Sequence, residues 1–110
     1  MNMLNQLIVE GKVMEAAKVS TRDTYTVAVL NIAVECTFKQ SDGTVLTETF
    51  FFEVKCYEPT LNKVRHLKPG QNIRVVGRLK QDRWVKKRKT YQKIYIVAEY
   101  IDVRKGEITE

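Results

Sequence analysis

Apolar and polar positions along the chain fall into short alternating blocks that fit strands better than helices. In NQLIVEGKV (5–13), Leu7 and Val9 share one side before Gly11, as in a curved strand. A polar stretch containing STRDT (20–24) serves as a connection. The run YTVAVLNIAVECTF (25–38) is rich in β-branched residues and too continuously apolar to have a wet face, which predicts a central strand. KQSDGT (39–44) supplies Asp-Gly turn chemistry and predicts a hairpin. In TETFFFEVKCY (47–57), one face takes Phe50, Phe52, Val54 and Cys56, and the other takes Thr49, Phe51, Glu53, Lys55 and Tyr57. The first set is expected to be core. The second mixes charges with two rings, and the alternation of a strand keeps both sets from entering one interior.

EPTLNKVRHL (58–67) has Pro59 near a helix start and Leu61, Val64 and Leu67 at helical spacing, closed by the turn KPG (68–70). One short amphipathic helix follows from that pattern. QNIRVVGRLKQDRW (71–84) sets Ile73, Val75 and Leu79 on one side and Arg74, Arg78, Lys80, Asp82 and Trp84 on the other, with Gly77 marking a sharp bend or bulge. TYQKIYIVAEYIDV (90–103) predicts a last strand with Ile94, Ile96 and Ala98 inward. The order is three strands, a short helix and two strands. That makes an all-β protein, a five-stranded OB-fold Greek-key barrel with its helix between strands 3 and 4. One domain is expected over 1–104, with residues 105–110 as a short, polar, frayed tail.

Charge changes this picture. Residues 1–58 hold 5 Lys and Arg against 8 Asp and Glu, a net of −3, whereas residues 59–110 hold 14 against 5, a net of +9. One sign gathered in half a small domain points to a polyanionic partner. Within GRLKQDRWVKKRKTYQKIYI (77–96), eight of twenty residues are Lys or Arg, Asp82 is the lone acid, and Trp84 is the chain's one tryptophan. Such cations repel one another, so QDRWVKKRKTYQK is expected to form a loop that is mobile until an anion orders it.

Rings interleaved with cations suit single-stranded nucleic acid. Exposed bases stack on aromatic faces, and cations along a groove neutralise phosphates. The candidate residues are the rings of Phe38, Phe51, Tyr57 and Trp84 with Lys55, Arg74, Arg78, Lys80, Arg83, Lys86, Lys87, Arg88 and Lys89. A duplex hides its base faces and would gain little from these rings. Competing placements exist for each: Trp84 capping a barrel end, two of the three FFF rings in the core and one at an oligomer interface, and Tyr57 packed with its hydroxyl bonded. The basic run KKRK could be a solubilising surface. Tyr91, Tyr95 and Tyr100 remain unassigned between core and interface, and His66 is expected on the helix surface.

Several stretches resemble the bacterial single-stranded DNA-binding protein family. NQLIVEGKV is similar to its opening strand, LNIAVECTF to its second strand, and ETFFFEVKCYEPTLNKV to its third strand and helix. HLKPGQNIRVVGRLKQDRW is similar to its helix end, Lys-Gly turn and basic hairpin ending in Trp. The resemblance spans residues 4–103. It implies that Trp84 falls on a DNA-stacking tryptophan, Phe51 on a second one, Tyr57 on a stacking phenylalanine and Phe38 near a third tryptophan position. It also implies that Phe52 lies at a subunit interface and that the assembly is a homotetramer wrapping DNA. Two positions carry Phe where the family has Trp, which keeps stacking but reduces ring area. The chain stops at GEITE without the family's flexible C-terminal region and acidic tip, which recruits replication and repair enzymes. It is therefore expected to be either a core cut from a longer protein or a tail-less relative, such as the dimeric primosomal replication protein N.

The expected function is sequence-nonspecific single-stranded DNA binding that protects unwound DNA in replication, recombination and repair. The alternative is an interaction module on the same barrel in primosome assembly. No cofactor or metal is expected, since one histidine and two well-separated cysteines give no ligand spacing, and no catalytic constellation or phosphate loop appears. Cys36 and Cys56 are expected to be free thiols in a reducing cytoplasm, with the protein on the nucleoid. No leader or membrane span is read, and no basic amphipathic helix suits a membrane surface.

Overall fold

The computed structural model describes residues 2–104. The expected tail at 105–110 lies outside the described residues. Six strands and one helix follow in order: β1 Leu7–Val13, β2 Lys18–Thr21, β3 Thr26–Lys39, β4 Val45–Cys56, α1 Leu61–Val64, β5 Asn72–Lys86 and β6 Lys89–Val103. The sheet runs β1-β5-β6-β4-β3-β2, and β1 also pairs with β3, so five strands close into a barrel. Closure depends on β1 serving two neighbours. Leu7 to Lys12 pair with β5, and Lys12 and Val13 pair with β3. The strand must bend at Gly11, where an added Cβ would lie 2.9 Å from the Ala33 carbonyl oxygen. The OB-fold barrel expected from the pattern is the fold observed.

The core joins Val13, Ala28, Leu30, Ile32, Val54, Cys56, Ile73, Val75, Ile96, Ala98 and Ile101 from the strands. Leu61, Val64 and Leu67, the predicted helical stripe, plug one end. The helix itself is a single turn, shorter than the pattern suggested, with Leu67 held in the turn after it. Side-chain bonds fasten it down: Thr60 Oγ1 donates to the Glu99 carbonyl at 3.0 Å, and Lys63 Nζ to the Ile101 carbonyl at 3.4 Å. Cys56 is buried and Cys36 exposed, eight register positions apart on the β3–β4 pair, and both are free thiols. Burial pushes the Cys56 thiol up to about 12, so it behaves as a small apolar core residue. No helix among the described residues is long and apolar enough to cross a membrane.

Three expectations need correction. The polar stretch containing STRDT (20–24) does not begin outside a strand: its first two residues close Lys18–Thr21, a short exposed strand paired with the start of β3. QDRWVKKRKTYQK is no loop: β5 and β6 pair down to Lys86 opposite Lys89, leaving Lys87 and Arg88 as a two-residue turn. Both turn residues have positive φ, 51° and 66°, the geometry a hairpin of right-twisted strands requires. Backbone pairing, which the charge pattern does not report, overrides the repulsion. Third, Phe50, Phe52, Leu79 and Ile94 are on core-facing sides yet exposed. Strands β3 and β4 continue well beyond the barrel, as do β5 and β6, and no layer covers the core-facing side of these extensions. The radius of gyration of 16.4 Å exceeds the roughly 13 Å of a compact chain of this length because of these arms.

A bulge sets the turn from barrel to arm. Val76 faces Tyr100 and Gly77 faces Ala98, so Glu99 is the extra residue on β6, and Ile101 and Ala98 both point inward despite odd spacing. A Cβ on Gly77 would lie 2.1 Å from the Val97 carbonyl oxygen. Gly77→Ala is expected to lower unfolding free energy by about 2–3 kcal/mol in urea denaturation. Gly43→Ala, in the β3–β4 turn at φ 91° with open space around it, should cost only about 1 kcal/mol.

Candidate nucleic-acid interface

The site begins with one short parallel pairing. β4 and β6 meet only at Val54 opposite Ile96 and Lys55 opposite Val97. Each runs from its arm into the barrel, so parallel pairing makes the β3–β4 and β5–β6 arms leave from the same end as two prongs. It also fixes the faces. Val54 and Ile96 point into the core, so Lys55 and Val97 point out, and alternation carries that outer face along both prongs. On β4 it shows Phe51, Glu53 and Lys55, with Tyr57 just past the strand's end. On β5 and β6 it shows Arg78, Lys80, Asp82, Trp84 and Lys86 beside Tyr95, Lys93, Tyr91 and Lys89.

Contacts between side chains confirm that this is one surface. Tyr57 meets Tyr25 edge to face, with ring centroids 5.8 Å apart. Lys93 Nζ reaches Glu53 at 2.5 Å, tying one prong to the other. Lys55 Nζ lies 4.1 Å above the Tyr95 ring and 4.0 Å from Asp82 Oδ2. Farther out, Trp84 and Tyr91 face each other across the ribbon, stacked at 5.8 Å and 19°, and with Lys86 and Lys87 they line an open groove. Phe51 is 64% exposed and Trp84 45%. Neither is a core ring, and Trp84 caps no barrel end.

The predicted residues divide by face and by charge state. Phe51, Lys55, Tyr57, Arg78, Lys80, Trp84, Lys86 and Lys89 share the outer face, with Lys87 and Arg88 at the tip of the ribbon. Phe38 falls on the reverse side, because it pairs with Leu46 in register with Phe50 and Phe52. Arg83 also alternates to the reverse, opposite Gln92. Arg74 sits at the far end of β5, where its guanidinium bonds Glu10 at 2.7–2.8 Å; Arg104 joins them, and the arginines hold the Glu10 carboxyl below its usual range. Arg78 pairs with Glu99 at 3.2 Å. Among the described residues, Lys80, Lys86, Lys87, Arg88 and Lys89 make no ion pair.

Two exposed rings were missed by sequence reasoning. In the sequence Tyr25 marks only the start of a strand, and its place beside Tyr57 depends on the three-dimensional course of the β2–β3 turn. Tyr91 would have been found from a two-residue turn at Lys87–Arg88, since that register sets it opposite Trp84. Tyr95, by contrast, is 4% exposed. Its hydroxyl donates to Asp82 Oδ1 at 3.2 Å, and burial, then that bond, push it up to about 12. Burial, then Tyr25 and Asp82, also push Tyr57 up. Tyr100 is exposed on the outer face near β1, away from the prongs. No group of three or more His, Cys, Asp or Glu that could hold a metal ion occurs among the described residues.

Comparison with known proteins points the same way. Residues 4–104 match the model of the single-strand binding protein family. A single-stranded DNA-binding protein of Aquifex aeolicus is 28% identical over 101 residues, covering 90% of this chain and 69% of that protein. Among solved structures, a Plasmodium falciparum SSB in complex with ssDNA superposes with a TM-score of 0.82 at 16% identity, covering 96% of this chain and 98% of the other. The wild-type single-stranded DNA-binding protein of Thermus aquaticus gives 0.83 at 24% identity, with this chain spanning 94% of its own length and 52% of that protein's.

The Tyr95 environment can be checked directly. Ultraviolet titration should show one tyrosine ionising near pH 12, a step lost in Tyr95→Phe. Because the folded value lies above the unfolded value of about 10, the associated stability is complete below pH 10 and disappears as pH rises toward 12.

Proposed function

The chain belongs to the single-strand binding protein family, and on that premise we propose that it binds single-stranded DNA without sequence preference across the outer face of its two prongs. One observation carries the assignment of the site: exposed Phe51, Trp84 and Tyr91 share a surface with cations that have no acidic partner among the described residues. In this reading bases stack on Phe51, Tyr57, Trp84 and the added rings Tyr25 and Tyr91. Lys80, Lys86, Lys87, Arg88 and Lys89 neutralise phosphates. Every base offers a π-face, so such a platform tolerates any sequence.

The biological role we propose is protection of unwound DNA during replication, recombination and repair, in the cytoplasm at the nucleoid, with replication and repair proteins as further partners and with no catalytic step. We also propose assembly into a homotetramer. The apolar reverse sides of the arms support it, since Phe38, Leu46, Phe50 and Phe52 lie uncovered there, and Phe50 and Phe52 stack at 6.4 Å. Phe52 is the interface residue in this reading.

Titration with oligo-dT tests the binding. Trp84 emission should be quenched, and affinity should fall as salt rises; absence of quenching at low salt would count decisively against the reading. Trp84→Ala is expected to weaken binding by about 1–3 kcal/mol with an unchanged melting temperature. The turn variant Lys87→Asn/Arg88→Gly should separate stability from affinity. It relieves two left-handed side chains and gains about 1 kcal/mol of stability, while the salt slope of binding falls by about 1.4 through loss of two phosphate contacts. Light scattering with and without oligo-dT should report four copies. A monomer in both conditions would refute the assembly.

A further inference from the structure

We propose that Asp82 is a built-in counter-anion at the centre of the binding face, holding Lys55 out of contact with phosphate and thereby attenuating DNA affinity. The proposal rests on the functional reading above. Lys55 is the one cation that β4 places on the outer face, and its side chain is largely buried between β4 and β6. Its ammonium is held from two sides, by the Tyr95 ring at 4.1 Å and by Asp82 Oδ2 at 4.0 Å. The other carboxylate oxygen, Oδ1, accepts the Tyr95 hydroxyl at 3.2 Å. One oxygen toward a cation and the other on a donor is the arrangement two phosphate oxygens would adopt in the same place.

Position makes this more than a local ion pair. Asp82 precedes Trp84 by one repeat on the same face, next to Lys80, and lies close enough to Tyr57 to raise its hydroxyl. A strand passing from Tyr57 toward Trp84 therefore crosses a half-exposed carboxylate that repels its phosphates. A loose pair of this kind contributes little to stability. Its effect falls on binding instead. Lys55, already neutralised by Asp82, cannot displace a cation condensed on the nucleic acid, so a phosphate arriving there releases no counterion. Tyr95 acts as a positioning residue: it keeps its proton throughout the neutral range and aims the carboxylate.

Fluorescence anisotropy of labelled oligo-dT with the full chain, at several salt concentrations, tests the idea, since thymine has no exocyclic amino group for a carboxylate to accept from. Asp82→Asn is expected to tighten binding about three- to tenfold near 0.1 M salt and to steepen the slope of log affinity against log salt by about 0.7, one added contact. Combining it with Lys55→Met should remove that extra slope. Tyr95→Phe frees the carboxylate without changing charge and should shift affinity and slope in the same direction by less; it decides the matter if Asp82→Asn does not fold. Unchanged or weaker binding in Asp82→Asn overturns the proposal, as does a double variant that keeps the steeper slope. Wild-type protein that fails to bind oligo-dT removes the functional reading itself, whereas wild-type binding with an indifferent Asp82→Asn removes this proposal alone.

Discussion

Two register pairs, Val54 with Ile96 and Lys55 with Val97, determine the shape of the molecule and its working surface. They are the backbone pairing between β4 and β6 among the described residues, and they are parallel. That polarity sends both arms out of one end of the barrel, and their shortness lets the arms separate beyond it. Inward burial of Val54 and Ile96 then fixes which side of every later residue is outer. A slip of one residue would exchange Phe51 for Phe52 and Lys55 for Cys56 on the binding face, placing charge in the core. The core thus enforces the position of rings and cations that it does not contain.

Charge on the molecule is arranged in zones rather than spread evenly. Near the barrel, cations are matched: Arg74 and Arg104 by Glu10, Arg78 by Glu99, Lys93 by Glu53, Lys55 by Asp82. Toward the tip of the β5–β6 ribbon they are unmatched among the described residues. Matched pairs orient side chains at little electrostatic gain. The unmatched ones supply the field that draws a polyanion in, and they sit where the backbone is most exposed to it. Lys87 and Arg88 occupy turn positions that favour Asn and Gly, so charge is kept there at the expense of conformational ease.

Much of this was legible in the sequence. The alternation in TETFFFEVKCY gave the correct division into two faces, and Gly77 marked a real bulge. What alternation cannot say is where a barrel ends. Phe50, Phe52, Leu79 and Ile94 have the right parity for the core, but burial needs an opposing layer, and that layer stops at Ile32 and Ile96. The same limit separates Phe38 and Arg83 from the other site residues: both belong to the right segment and to the wrong side. The ribbon was hidden for a different reason. A two-residue turn normally announces itself by Asn or Gly, and Lys-Arg carries no such mark.

The uninterrupted pairing of the β5–β6 ribbon has a consequence for how such a surface can be remodelled. With only two residues at its tip and strict alternation behind them, the ribbon changes length by whole register pairs. Adding one pair below Trp84 would turn the indole to the opposite side, while adding two restores its aspect some 7 Å farther from the barrel. The reach of this prong is therefore stepped rather than continuous, and relatives that differ in the span of nucleic acid they cover should differ there by even numbers of residues per strand.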